Sequence, residues 1–380
     1  MNFINFDRMR VFAVAAKPPS GPVSSLGNMP TRNGLLIELT TPEGVVGWGE
    51  VWCNFPPRGS IAKLNLLVDV IAPELINTNF NSWTDIRPYL EKHFERMIIH
   101  TGEYGPFKHC FAAIDTAAAD IAARIAGKPL ARFLAADSSE NVKVYASTPD
   151  VRNMAEAIPA LCESGHKAVK LKIGFDESAD IELLKRFREV APHDMTLMVD
   201  ANQNWSAAEA KSVIDGIKEF DVAFVEEPLL ASDPLSDWTS LAQSSNISLA
   251  AGENICSASS FKEFVSLKAI GVIQPDVTKW GGVSGAMEVG RHAISNNAAC
   301  AIHYMGSALG LAASLHVRAA IGEDGPVELD ANINPLRTDL GDISVTPNQG
   351  RLKLPRGNGL GFVPDMSALK LYQVGSAEVT

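Results

Sequence analysis

Cysteine is scarce in this chain: five residues in 380, widely separated, with no pair at CxxC spacing. An odd, scattered set argues against a disulfide framework and against a thiolate zinc site. It fits a reducing compartment, so a cytoplasmic protein is expected. Long apolar runs are missing as well. The small-residue stretch HYMGSALGLAASLHV (303–317) is shorter than the ~18 apolar residues of a membrane span. Near the N-terminus, RMR followed by VFAVAA imitates a secretory leader. Its apolar part falls short of the ~7–15 residues such a leader needs, and a first strand is the better reading. No basic run interrupts a formal charge of −11, which argues against nucleic acid or an anionic membrane as partner. A small anionic substrate remains compatible, because it responds to the local field and to any bound metal.

What the chain does have is a period. Lys172, Asp200, Glu226, Glu253, Asp276, His303 and Glu328 stand near the ends of hydrophobic runs, 23 to 28 residues apart. Most of the runs are strand-like: AVKLK, TLMVD, VAFVE, VIQPD, AIH and VELD, with SLAAGE before Glu253. A strand, a crossover helix and two loops use about that length, so the pattern predicts repeated β/α units. Closed into a ring of parallel strands, the units bring all seven residues to one face, where barrel enzymes place their chemistry. The barrel is expected from VKVYAS (142–147) to VELD (327–330).

Residues 1–128 lack the period and predict a separate α+β domain. MRVFAVAA and GLLIELTTPEGVVGWGE read as strands, the second folded into a hairpin at PEG. Three segments with helical periodicity follow: IAKLNLLVDVIAPELI, SWTDIRPYLEKHFERMI and FKHCFAAIDTAAADIAARIA, the last ending at Gly127. Two irregular loops, Lys17–Asn33 and Val51–Gly59, are expected to cover the barrel mouth as a lid. The barrel domain spans 129–347. The tail, 348–380, contains no β/α unit and is expected to return and pack on the first domain.

Asp200, Glu226 and Glu253 end consecutive strands. Three unpaired carboxylates at one point repel by ~4 kcal/mol per pair at 4 Å and an effective dielectric of 20. A hard divalent cation relieves this, and an oxygen-only set favours Mg²⁺, with Mn²⁺ as the alternative, over zinc. A salt-bridge network is the competing reading, but no arginine stands near those strand ends. Lys170 and Lys172 flank Leu171, so alternation sends both ammonium groups into the barrel. Each lowers the other's pKa, which suits one of them as a general base. Asp276 and His303 end neighbouring strands and are placed to form a carboxylate–imidazole dyad. Glu328 faces the carboxylates from the eighth strand. Trp52 and Tyr304 either line the pocket or pack in the core.

Taken together the motifs VVGWGE, AIDTAAADIAARIAGKPL, KLKIG, VDANQNW, FVEEP, AGEN, QPDVTKWGGVSGA, AIHYMGSALG, VELDANINPLR and GNGLGFVPD resemble the enolase superfamily, mandelate racemase subgroup, nearly end to end. The resemblance implies a (β/α)7β modified TIM barrel with an α+β capping domain. It also implies one Mg²⁺ on Asp200, Glu226 and Glu253, with Lys172 as base on one face of the substrate and His303 with Asp276 as acid/base on the other. Lys170 and Glu328 would contact the substrate carboxylate, and Asn202 would be a further polar contact. A homo-oligomer, dimer to octamer, is implied too. In the muconate-lactonizing branch a lysine stands five residues before the GG of the sixth-strand motif. Here Asp276 stands there, before Gly281-Gly282, and Glu253 replaces that branch's usual aspartate.

The expected reaction is removal of a proton α to a carboxylate through an enediolate. The leading outcome is dehydration of an acid sugar, aldonate or aldarate. Epimerisation and acid-sugar lactone cycloisomerisation are the alternatives, and a non-catalytic regulatory member of the fold is the reading of another class. NPLR (334–337) resembles members acting on acid sugars and their lactones, and Arg32 is the only arginine in the long loop.

Overall fold

The computed structural model describes residues 4–19, 21, 23–24, 27–149 and 151–380. Arg8–Ala16, Arg32–Thr40 and Val46–Val51 form three adjacent antiparallel strands. The PEG turn closes the hairpin between the last two, with Gly44 at φ 79° and its N–H donating to Thr41 O at 2.8 Å. Helix Tyr104–Ile125 lies directly on the third strand. A Cβ on Gly49 would stand 2.0 Å from Ala113 O, and one on Gly47 would stand 2.3 Å from Ala117 O. The GWG spacing and the alanine-rich helix are therefore two halves of one close contact. A helical run from Gly59 to Leu75, and helix Ile86–Thr101, complete this layer around its own apolar core.

The second layer is a barrel of eight parallel strands: Asn141–Ser147, Ala168–Lys172, Thr196–Asp200, Val222–Glu226, Ser248–Ala251, Val272–Ile273, Ala299–Cys300 and Pro326–Asp330. Neighbours in the chain pair in order around the ring. The bridge between Ile302 and Val327 links the seventh strand's extension to the eighth, which pairs with the first. A crossover helix follows each of the first seven strands, from Met154–Glu163 to Ala308–Ile321. Side chains alternate across each strand, and one interior layer is an apolar plug of Tyr145, Met198, Phe224, Ala250 and Ala301. Two residues further along, the same alternation aims Asp200, Glu226 and His303 inward above that plug.

The tail divides between the layers. Arg351–Lys353 pairs antiparallel with the first barrel strand, and Gln373–Val379 joins the edge of the antiparallel sheet beside Arg8–Ala16. Only its last part meets the first domain through a sheet, because the backbone of the first barrel strand takes up the earlier part. The expected loop Lys17–Asn33 lies partly outside the described residues, and its described part includes a ladder between Val23–Ser24 and Gly27–Asn28.

Buried carboxylates bind the cap to the barrel. Glu50 accepts from Ser307 N–H (2.8 Å), Ser307 Oγ (2.6 Å) and Gly310 N–H (2.7 Å) at the start of helix Ala308–Ile321. Asp115 accepts from Ser284 N–H (2.8 Å) and Oγ (2.6 Å) at the start of helix Gly282–Ser295. Negative charge at a helix N-terminus is favourable. These two helices follow the sixth and seventh strands, whose extensions carry Asp276 and His303. Among the described residues no helix is long and apolar enough to cross a membrane.

Candidate active site

Lys172, Asn202, Glu253 and His303 line one cavity of about 130 Å³ at the C-terminal ends of the strands, together with Trp52, Asn54 and Phe55 from the cap and Gly27 and Met29 from the longer loop. Both loops thus reach the mouth that holds Lys172 and His303. Lys170, Asp200, Glu226, Asp276 and Glu328 lie beneath, each no more than 2% exposed.

Lys170 is the hub of the buried layer. Its ammonium donates to both oxygens of Glu226 at 2.7 Å and to Glu328 at 3.0 Å, and stands 3.5 Å from Asp200. Burial alone would lower its pKa, but Glu226 and Glu328 raise it well above the usual lysine value. Lys172 pairs with Asp200, whose other oxygen accepts from Asn202 N–H at 2.8 Å. Burial again lowers the pKa of Lys172, but Asp200, Glu226 and Glu328 together raise it, and the net shift is upward. Lys170 lowers the pKa of Lys172, as expected, but the carboxylates around the pair outweigh that repulsion.

His303 carries the opposite wall. Its Nδ1 is 2.7 Å from Asp276 Oδ2, and its Nε2 is 3.3 Å from Glu253 and 3.8 Å from Glu328. The Asp276 contact assigns the Nδ1–H form and leaves Nε2 toward the cavity. Burial would lower the imidazole's pKa, but Glu253, Glu328 and Asp276 bring it up to about 10.

One atom of each of Glu226, Glu253 and His303 lies within 4.8 Å of the others. Asp200, expected in that group beside the two glutamates, is drawn toward Lys172 instead. The donor set fits a divalent cation on charge. Five carboxylates (Asp200, Glu226, Glu253, Asp276, Glu328), all but Glu253 buried, meet three ammoniums (Lys170, Lys172, Lys279) and the imidazole of His303. Burial, with Asp200 beside it, pushes the Glu226 pKa up to about 8, the cost of gathering carboxylates at one point, which a dication held there would relieve. The neighbouring Glu227 is pushed the same way: burial, reinforced by Glu253, raises its pKa well above the usual value, and Asn254 donates to it at 2.8 Å.

One expectation about an individual residue needs correction. Tyr304 is not in the pocket. Next to His303 on an extended segment it points to the other side, 1% exposed, and its hydroxyl donates to the carbonyls of Gly306 (2.8 Å) and Ser307 (2.9 Å). Arg32 and Arg337 are structural as well: Arg32, 2% exposed, pairs with Asp330, and Arg337 donates to the carbonyls of Asp330 and Asn332. Three site residues escaped the sequence reading. Gln274 donates from Nε2 to Glu226, Tyr145 donates to Glu328 at 3.2 Å, and Lys279 donates to Glu253 at 2.9 Å. Gln274 precedes Asp276 by two residues, so the alternation that flagged Lys170 and Lys172 applied to it too.

A (β/α)7β barrel capped by an α+β domain, with three strand-end carboxylates between a lysine and a His–Asp pair, defines an enolase-type barrel protein. The chain belongs to the mandelate racemase/muconate lactonizing enzyme family of that superfamily. The model of the family's N-terminal domain matches residues 8–135, and that of the enolase C-terminal domain-like fold matches 153–368. The chain is 27% identical to an arabinonate dehydratase of Saccharolobus solfataricus, over 86% of this chain and 87% of that one. It is 25% identical to a D-galactarolactone cycloisomerase of Agrobacterium fabrum, over 90% and 92%. A solved mandelate racemase/muconate lactonizing enzyme structure from Bordetella bronchiseptica RB50 superposes with a TM-score of 0.89 at 35% identity, covering 97% of this chain and all of that one.

Proposed function

We propose that the protein is a Mg²⁺-dependent lyase that removes the proton α to a carboxylate and dehydrates an acid sugar, an aldonate or aldarate. The observation that carries this reading is the single cavity shared by Lys172 and the imidazole of His303, which come from the second and seventh strands, with Glu253 on its wall. Asp200, Glu226 and Glu253 would hold the cation, which would supply charge stabilisation for the substrate carboxylate. Every other step belongs to side chains. Lys172, once neutral, takes the α-proton, and the electron pair moves onto the substrate carboxylate as an enediolate. Lys170 and Glu328 meet that carboxylate from below. His303 Nε2 then gives its proton to the β-hydroxyl, which leaves as water, and the resulting enol ketonises. Asp276 keeps the imidazole oriented throughout.

Asn202 Oδ1 is buried beside the cavity with no hydrogen-bond partner among the described residues, and it accepts from a substrate hydroxyl in this reading. Trp52 and the two cap loops serve as the lid that excludes water. The relative named an arabinonate dehydratase supports this outcome. The relative named a cycloisomerase supports the second reading, in which His303 protonates a lactone ring oxygen or returns a proton to the opposite face. Incubation with aldonates, aldarates and their lactones in deuterated water with Mg²⁺ separates them. Dehydration gives a 2-keto-3-deoxy acid, whereas the second reading gives an isomer. Absence of α-proton exchange with every compound would refute the shared chemistry.

A further inference from the structure

Lys279 has no part in the proton transfers above, yet it joins two regions that they need. It stands in the loop after the sixth strand, which Asp276 holds in shape. The Asp276 carboxylate accepts from Thr278 N–H and Oγ1 at 2.7 Å each, and its carbonyl accepts from the N–H groups of Lys279 and Trp280 at 3.1 Å each. The Lys279 ammonium, 5% exposed, donates to Glu253 Oε2 at 2.9 Å and to Asn254 Oδ1 at 2.8 Å. It also lies 4.6 Å from the centre of the Trp52 ring, within cation–π range.

Trp52 itself is held from both sides. Its N–H donates to Thr278 O at 3.2 Å, on the barrel side. On the cap side the Lys63 ammonium stands 5.1 Å from the same ring and donates to the Trp52 carbonyl. The His109 ring packs edge-on against the indole at 5.2 Å. The lid's aromatic ring is thus clamped between an ammonium of the cap and an ammonium of the barrel, and the latter touches Glu253.

We propose that Lys279 is a positioning residue that couples the Trp52 loop of the cap to Glu253, so that the state of the lid and the affinity of the carboxylate cluster for a divalent cation are linked. The inference rests on the reading of Glu253 as a metal donor. Lys279 and His303 both meet Oε2 of Glu253, which leaves Oε1 for an ion. Lys279 carries the same sign of charge as that ion, so its place beside Glu253 restrains the cluster's attraction for a cation. Trp52 keeps the ammonium in that place. Linkage is reciprocal, so an ion on Glu253 also changes the hold on Trp52.

Calorimetric titration of the substrate-free protein with MgCl₂ tests this, in a double-mutant cycle of Trp52→Leu and Lys279→Met. Lys279→Met is expected to bind Mg²⁺ about tenfold more tightly, because a like charge is removed. Trp52→Leu should tighten binding by about threefold when Lys279 is present and leave it unchanged in the Lys279→Met background. Trp52→Phe keeps a ring over the ammonium and should stay near the wild type, and Trp52→Met takes the place of the leucine variant if that one misfolds. A merely structural role would lower the melting temperature of both variants without making the Trp52 effect depend on Lys279. Equal effects of Trp52→Leu in both backgrounds, or weaker binding in Lys279→Met, would overturn the inference. Glu253→Gln separates the two readings: Mg²⁺ binding unchanged in that variant removes the donor assignment and this inference with it. Binding lost in Glu253→Gln, with no dependence on Lys279, removes this inference alone.

Discussion

Asp115 offers a test of how the cap is joined to the barrel. Its carboxylate is fully buried and holds the start of helix Gly282–Ser295 through Ser284 N–H and Oγ. Burial, partly offset by those two bonds, pushes its pKa from 3.8 up to about 6. A carboxyl whose pKa is raised on folding stabilises the folded state while it is protonated. That contribution is whole below its unfolded pKa and is lost as pH rises through its folded pKa. The shift corresponds to about 3 kcal/mol, at ~1.36 kcal/mol per pKa unit. Asp115→Asn keeps an acceptor for Ser284 N–H, and its amide can donate to Ser284 Oγ, so the contact survives without the titration. The measurement is the urea midpoint of both proteins between about pH 4 and about pH 7. The stability of the variant relative to the wild type should rise by about 2.4 kcal/mol across that window, the rest of the shift lying below pH 4. Parallel curves would refute the reasoning, since they would mean that Asp115 is as well solvated as in the unfolded chain.

Other outcomes follow from the same structure. Arg32→Met leaves the buried Asp330 with Arg337, 3.5 Å away, as its remaining cationic partner and should cost about 1.5–3 kcal/mol, read as a lowered melting temperature. The Met29 and Met305 sulfurs, which now meet that guanidinium and border the cavity, lose their anchor, so KM should rise as well. Gly252→Ala places a Cβ 2.4 Å from the backbone carbonyl carbon of Gln274. The strand ends bearing Glu253 and Gln274 must then separate, and kcat/KM should fall at least about tenfold. Mg²⁺ at a hundred times its dissociation constant should stabilise the wild type by about 2.7 kcal/mol. Glu226→Gln should fold normally but lose that gain together with activity.

The fold was readable because the barrel's regularity is written at a single period. One ionisable residue near each strand end, from Lys172 to Glu328, marked strands two to eight even where the sixth and seventh pair over only two residues each. The site was readable only where a residue's direction follows from alternation. That rule placed Lys170 and Lys172 inward, and applied to Asp276 it would also have found Gln274. Applied to His303 it would have removed Tyr304. Lys279 obeys no such rule, because it sits in a turn whose shape comes from the Asp276 carboxylate and carbonyl. The carboxylates around the lysines were not readable for a related reason. The carboxylates that raise their pKa values lie on three other strands, and only the closed ring brings them within 3.5 Å. The tail's division between barrel and cap depends on which strand edge lies free, and that too belongs to the assembled fold.

The central claim is that Lys172 and His303 act from different sides of one substrate carbon with separate tasks. Deuterium incorporation at the α-carbon, followed by NMR in deuterated water with Mg²⁺ and the acid sugar that the enzyme turns over, tests it most directly. The account predicts that His303→Asn stops product formation while α-proton exchange continues, and that Lys172→Ala stops both. Exchange that survives in Lys172→Ala and vanishes in His303→Asn would reverse the roles. Exchange that persists with both replaced would contradict the mechanism.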